Sequence, residues 1–201
     1  MKIDLHVHTT ERSLCADSSE QEQILTAIER GLDAIVITDH GRLVPPEHIE
    51  ALNRQYAPFR IFGGVEITVQ ENEDVLVLGL HDPALEAGGW TYPTLHAFVR
   101  RHGGWLAIAH PFRYHPTLHI DLVQDLPDAL EGCSTNIVLP NQPRIRELAE
   151  QLGIPVVCNS DAHITRSLGV GYNLLSEEPE DEAALVRILH RGAFSGVCTI
   201  T

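Results

Sequence analysis

The sequence predicts an α/β fold, a single domain over residues 1–201 closed as a distorted, seven-stranded TIM-like barrel. Three observations predict it. Apolar runs of strand length alternate with amphipathic helical segments, the pattern of a parallel α/β arrangement. Five of those runs end in His, Asp or Glu, and in closed barrels and open doubly wound sheets alike chemistry gathers at the carboxyl ends of strands. An open sheet collects ligands at one crevice between two strands, so five contributing strand ends favour closure. The chain is short for eight full βα units.

The elements follow in order. Lys2–His8 is a strand, and Glu20–Arg30 an amphipathic helix with Ile24, Leu25 and Ile28 at helical spacing. Ser18 or Ser19 caps that helix and Gly31 ends it. Asp33–Thr38 is the second strand, and Pro46–Asn53 a short helix with proline in its first turn. Arg60–Val69 and Asp74–Leu80 flank the polar turn Gln70–Glu73 and read as a hairpin. Tyr92–His102 is a helix stopped by Gly103-Gly104, and Trp105–Ala109 and Asp128–Gly132 are strands. Pro143–Leu152 is a helix stopped by Gly153, Ile154–Asn159 a strand, Asp181–Arg191 the last long helix and Gly196–Thr201 a closing strand.

Composition narrows the function classes. The 43% hydrophobic content fits a globular protein with a sizeable core. No apolar run reaches the about 18 residues that span a bilayer. The start, Met1-Lys2-Ile3-Asp4, lacks the apolar core of a signal peptide, so the expected location is the cytoplasm, with no membrane partner. Net charge is −14, from 14 basic and 28 acidic residues, which argues against a grip on long nucleic acid through its phosphates. Two or three divalent ions would add about +4 to +6 at one cleft, enough to attract a phosphate despite the acidic balance. Cys15, Cys133, Cys158 and Cys198 are far apart and form no C-x-x-C pair; they are expected to be reduced and mostly buried, Cys133 as a structural thiol. Oligomeric state leaves no mark in the sequence.

The strand ends carry the chemistry. They read His6-Val7-His8, Val36-Ile37-Thr38-Asp39-His40, Gly64-Val65-Glu66, Ala107-Ile108-Ala109-His110 and Asp161-Ala162-His163. Alternate residues on a strand point the same way, so His6 and His8, like Asp161 and His163, are presented in pairs. Together these ends imply a polynuclear metal centre and a hydrolase. Mixed imidazole and carboxylate donors suit Mn²⁺, Fe²⁺ or Zn²⁺ rather than ions held by oxygen alone. Asp39 precedes His40 and is expected to orient a ligand ring from behind rather than bind; Asn159 is read similarly, or as a strand-end cap. His48, His96, His102 and His190 fall on helices or their ends and read as surface residues. No Gly-x-x-x-x-Gly-Lys loop, strand-linked Gly-x-Gly-x-x-Gly or Gly-x-Ser-x-Gly elbow is present, which disfavours P-loop, dinucleotide and serine-hydrolase chemistry.

His6-Val7-His8-Thr9, Thr38-Asp39-His40, Gly64-Val65-Glu66, Ala109-His110-Pro111 and Ser160-Asp161-Ala162-His163 occur in the order found in the PHP (polymerase and histidinol phosphatase) family, which the chain resembles from residue 2 to about residue 170. Ser13–Ser19 resembles that family's loop carrying an aspartate or histidine, and Gly79-Leu80-His81-Asp82-Pro83 its Gly-x-His-x-Pro segment. The resemblance implies a (β/α)7 barrel, two or three divalent ions, and phosphoester hydrolysis by metal-activated hydroxide. Carried over by position, His6, His8, Glu66 and Asp161 would hold a first ion. Glu66 would bridge to a second, completed by His81 and His110. Asp17, His40 and His163 would hold a third. Of these, His6, His8, Glu66, Asp161 and His163 are expected to matter most for catalysis. Asp17 has a plainer reading as a helix cap, and His81 as part of a turn.

Substrate residues are less sharply marked. Arg113, three residues beyond His110, would hold a phosphate by two parallel hydrogen bonds, with Arg166 and Arg42 as further candidates. His115 and His119, near it, are candidate general acids. The expected function is hydrolysis of a small phosphomonoester, such as a nucleotide or a histidinol-phosphate-like compound. Two alternatives stay open: a metal-dependent amidohydrolase-type enzyme, and a non-catalytic, metal-stabilised PHP module.

Overall fold

The computed structural model describes residues 1–200; Thr201, the end of the expected closing strand, lies outside the described residues. Nine strands, β1 Lys2–Val7, β2 Ala34–Ile37, β3 Arg60–Thr68, β4 Asp74–Leu78, β5 Trp105–Ile108, β6 Ala129–Cys133, β7 Val156–Cys158, β8 Gly171–Leu175 and β9 Phe194–Cys198, form one sheet in the order β7-β6-β5-β4-β3-β2-β1-β8-β9. Five helices accompany them: α1 Glu20–Glu29, α2 Pro46–Tyr56, α3 Tyr92–His102, α4 Asn141–Leu152 and α5 Glu182–His190. Local chemistry sets their ends. Ser19 and Glu22 form a capping box on α1, while Gly103 and Gly153 close α3 and α4 in the left-handed conformation.

The sheet curls into a nearly closed barrel. At the upper end the chain beyond β7 pairs in parallel with β1, through His8 N–H to the Ala162 carbonyl at 3.0 Å. At the lower end the antiparallel pair β8 and β9, joined through α5, fills the gap, with β8 antiparallel to β1 at Lys2 and Ile3. Asn173 joins β8 to β7: its amide accepts from Cys158 N–H at 3.1 Å and donates to the Cys158 carbonyl at 2.8 Å, imitating a neighbouring peptide group. Gly171 lies so close that a Cβ would sit 2.1 Å from the Asn159 carbonyl oxygen; only glycine fits this seam. Seven strands thus make the barrel, as expected, with an appended antiparallel pair whose first strand, β8, carries no alternating pattern that announces it.

Two features depart from the expected parallel arrangement. Strand β4 is antiparallel to both β3 and β5, because the short turn Gln70–Glu73 reverses the chain at once. Strand β1 contains a register shift between Asp4 and Val7. Ile3 and Leu5 consequently join an interior cluster, whereas Val7 joins the outer cluster that packs α1 and α2. Simple alternation therefore fails across β1. The bulge lets Leu5 fill the core while His6 and His8 turn into the barrel.

The interior cluster draws side chains from each of β1 to β7, among them Trp105 and Leu78, and is plugged by Leu185, Val186, Ile188 and Leu189 of α5. That helix seals the lower end, so only the upper end is open to chemistry. The cysteine expectation is corrected. Cys133 and Cys198 form a disulfide tying β6 to β9, Cys15 is exposed, and only Cys158 is a buried free thiol. The pair is 65 residues apart in sequence, and only barrel closure brings the two strands together.

Candidate metal centre

At the upper end, side chains from β1, β3 and β4 and from the segments following β1, β2, β5 and β7 converge. His6 Nε2 lies 2.9 Å from His8 Nε2, and both lie 3.3–3.4 Å from Glu66 Oε2 and from Asp161 Oδ1. His40 Nδ1 is 3.0 Å from Glu66 Oε2, and His110 Nε2 3.0 Å from Glu66 Oε1. His163 Nδ1 lies 3.3 Å from Asp161 Oδ1, and its ring is 4.1 Å from that of His8. His6, His8, Glu66, His110 and Asp161 are buried; His40 and His163 are partly exposed at the rim. Backbone strain accompanies the site, since His110 and Asp161 have φ of 28° and 53°, a region costly for residues with a Cβ.

The donor set fits divalent cations. Glu66 Oε2 and Asp161 Oδ1 are buried without a hydrogen-bond donor, a costly state for a carboxylate oxygen. Both face the two imidazole nitrogens. Three groups have ligand atoms mutually within 4.8 Å: His6/His8/Asp161, Glu66/Asp74/His110 and His8/His40/His163.

The histidine tautomers are set from behind. Glu131 Oε1 is 3.0 Å from His6 Nδ1, so that nitrogen carries the proton and Nε2 presents its lone pair inward. Glu131 also accepts from His110 N–H and from Asn159 Nδ2. On the other side, Ser13 Oγ donates to Asp39 Oδ1 at 2.7 Å and faces His8 Nδ1 at 3.3 Å. Asp39 in turn accepts from Thr9 N–H, Thr9 Oγ1 and Arg12 Nε. Asp39 thus orients His8 through Ser13, and Asn159 steadies Glu131. His8 Nδ1 being engaged, only its Nε2 faces the cluster.

Other expected residues fall elsewhere. His81 is removed from the centre: β4 runs antiparallel, so its carboxyl end is at the lower face, where His81 Nε2 pairs with Glu182 Oε2 at 2.5 Å. Asp17 is exposed; its backbone N–H donates to the His163 carbonyl, but its side chain is in none of the converging groups. Arg113 does reach the site, with Nη1 3.3 Å from His110 Nε2. It lines a cavity of about 280 Å³ over the cluster, together with Cys15, Thr135, Asn136, Asp161, His163 and Ser167. Arg42 points toward Glu86 instead, at 3.9 Å, and Arg166 is exposed; neither lines this cavity. His115 and His119 stack on each other, 4.0 Å between ring centroids, and also lie outside its wall. Of the helix histidines, His48, His102 and His190 are exposed as expected, and His96 is half-buried.

The cluster's electrostatics couple to protons. Burial opposes charge on His6, yet Asp161, Glu66 and Glu131 outweigh it and raise its pKa well above 6.5. His8 and His110 are raised against the same burial by the carboxylates beside them, Asp161 and Glu66 for His8 and Glu66 for His110. Burial likewise disfavours charge on Glu66 and Asp161, but the histidines outweigh it and lower both well below their ordinary 4.5 and 3.8. The lowered carboxylates stabilise the fold above their ordinary values and lose that contribution as pH falls through their folded values. The raised histidines stabilise fully below 6.5 and lose theirs as pH climbs through their folded values. With metal chelated, the cluster's contribution should peak between about pH 4.5 and 6.5, and Tm should fall above that window. Divalent ions must displace the same protons, so their affinity should rise with pH. Thermal melts with chelator, set beside ion titrations from pH 5 to 9, check both; a Tm climbing steadily from pH 6.5 to 9 contradicts the first.

Comparison with known proteins gives the family and the fold. The PHP domain family model matches residues 4–152, and a PHP-associated model matches residues 141–194. The chain belongs to the PHP domain family. Similar solved structures include PsfC from Pseudomonas syringae, at TM-score 0.71 and 23% identity over 98% of this chain and 91% of that one. A two-domain protein from Bacteroides vulgatus containing a predicted PHP-like metal-dependent phosphoesterase aligns at TM-score 0.73 and 16% identity, over 98% of this chain and 64% of that one. The lesion-specific endonuclease PfuEndoQ from Pyrococcus furiosus aligns at TM-score 0.62 and 14% identity, over 98% and 58%. No curated protein matches the chain. No helix among the described residues is long and apolar enough to cross a membrane.

Proposed function

We propose that this protein is a metal-dependent phosphoesterase acting on a small phosphomonoester, a nucleotide being one candidate. One observation carries the reading: two buried carboxylate oxygens, on Glu66 and Asp161, lack donors and face the imidazoles of His6 and His8 beneath an open cavity of about 280 Å³. Divalent ions bound there supply an activated nucleophile and neutralise charge developing on a phosphoryl group. His6, His8 and Asp161 would hold one ion and Glu66 and His110 a second, with His40 and His163 at the rim. Glu131 and the Ser13–Asp39 pair keep the imidazole lone pairs aimed inward.

The walls of the cavity suit an anion. Arg113 contributes a cation, and Asn136 and Ser167 contribute neutral polar groups. A guanidinium beside the ions can take phosphate oxygens in a bidentate pair. Its small volume favours a compact substrate, and the net charge of −14 opposes a long polyanion. Arg113→Ala is expected to raise KM for phosphomonoesters by about tenfold or more, with kcat changed less, because the lost contact binds ground and transition states alike. Steady-state kinetics on a nucleotide and on a simple aryl phosphate check this; an unchanged KM for both removes Arg113 from the phosphate site.

A further inference from the structure

We propose that Asp74, not His81, completes the second ion site with Glu66 and His110; the inference rests on reading the cluster as a metal centre. The direction of β4 is the first argument. Asp74 opposes Thr68 at the start of this antiparallel strand, so the amino end of β4 rises to the face where the other strands present their carboxyl ends. His81 follows the carboxyl end of β4 and is carried to the opposite face. There its ring would meet a Cβ placed on Gly63 at 2.8 Å, and it pairs with Glu182 at the start of α5.

The geometry of Asp74 is the second argument. Its carboxylate is buried, with Oδ2 3.7 Å from His110 Nε2, and one atom from each of Glu66, Asp74 and His110 lies within 4.8 Å of the others. Tyr114 donates to Oδ2 at 2.7 Å and Thr68 to Oδ1 at 2.5 Å, which holds the carboxylate in one orientation. Each oxygen has two lone pairs, so one remains on each for a cation. A fixed carboxylate pointing at a Glu–His pair is a ligand arrangement, and no basic residue pairs with it; His110 is the only cationic partner within 4.0 Å among the described residues. Two carboxylates and one imidazole also make this a harder site than two imidazoles with one carboxylate, and so shift it toward Mn²⁺ relative to Zn²⁺.

Calorimetric titration of chelator-stripped protein with Mn²⁺, alongside metal analysis after reconstitution, tests the assignment on wild type, Asp74→Asn, Asp74→Ala and His81→Ala. Both Asp74 variants should lose one bound ion, or hold it at least about 100-fold more weakly, while the remaining affinity is kept. His81→Ala should bind like wild type. Asp74→Asn is close in shape, and its one carbonyl oxygen can still accept from Thr68 while its amide donates to the Tyr114 hydroxyl oxygen, so its melting curve in chelator separates a folding defect from a ligand defect. Unchanged stoichiometry and affinity in both Asp74 variants, or an ion lost in His81→Ala, overturns the proposal while leaving the centre itself in place. Wild-type protein that takes up no Mn²⁺ overturns the metal-centre reading as well.

Discussion

Asp161→Ala should abolish metal binding at the deepest site and hydrolysis with it, leaving a folded barrel. Asp161 Oδ1 lies 3.4 Å from His6 Nε2 and 3.3 Å from His8 Nε2, the same distances as Glu66 Oε2, so its removal leaves those two imidazoles facing one carboxylate instead of two. Loss of an outer partner typically lowers metal affinity or activity by about 10–100-fold; loss of this direct ligand should exceed that range. The fold should persist, because Asp161 lies beyond β7 and its side chain supports no ladder pairing. Its partner Asn136, which donates to Oδ2 at 2.5 Å, is at the open mouth and can turn to water. Alanine also has to hold the φ of 53°, so a modest fall in Tm is expected. Metal analysis, phosphoester turnover and a thermal melt on one preparation decide the matter. Full metal content with full turnover would defeat the assignment of Asp161.

Glu131→Ala is the second large effect, and it should damage stability as well as the site. Glu131 is fully buried and accepts from His6 Nδ1, His110 N–H and Asn159 Nδ2. Truncation leaves three buried donors unmatched, each costing about 1–3 kcal/mol, and creates a cavity beneath His6. A loss of several kcal/mol and a drop in Tm of at least about 10 °C should follow, at about 2–4 °C per kcal/mol for a chain of this size. Glu131→Gln retains volume and one acceptor oxygen. It should keep most of the stability yet bind metal about 10–100-fold more weakly, since His6 loses the charge that fixes its tautomer. Wild-type affinity in Glu131→Gln would show that His6 needs no carboxylate behind it.

The sequence displayed much of this site because its ligands end apolar runs. His6, His8, Glu66, His110, Asp161 and His163 each close such a run, and a barrel turns strand ends into one surface. What it hid depends on chain direction and on distant partners. The hairpin at Gln70–Glu73 was legible, and its consequence was that β4 runs downward; assigning His81 to the upper face contradicts that hairpin. Following the strand through the turn would have brought forward Asp74 at its start. Glu131 had a faint signal, a lone acid inside the buried run Ala129–Cys133, but its partner His6 is 125 residues away. Ser13 sits in a polar loop where nothing distinguishes a hydroxyl that bridges His8 and Asp39 from a solvated one. The Cys133–Cys198 pair and strand β8 both belong to the barrel seam, which closure creates and no local pattern encodes.

Metal-dependent phosphoester hydrolysis is tested most directly by turnover of a phosphomonoester panel, nucleotides included, by chelator-stripped protein before and after reconstitution with Mn²⁺, Fe²⁺ or Zn²⁺. Stripped protein should show no turnover and recover it on addition of a divalent ion, for at least one phosphomonoester. Protein that takes up these ions yet turns over no phosphomonoester, or hydrolyses one equally well when stripped, would contradict that function.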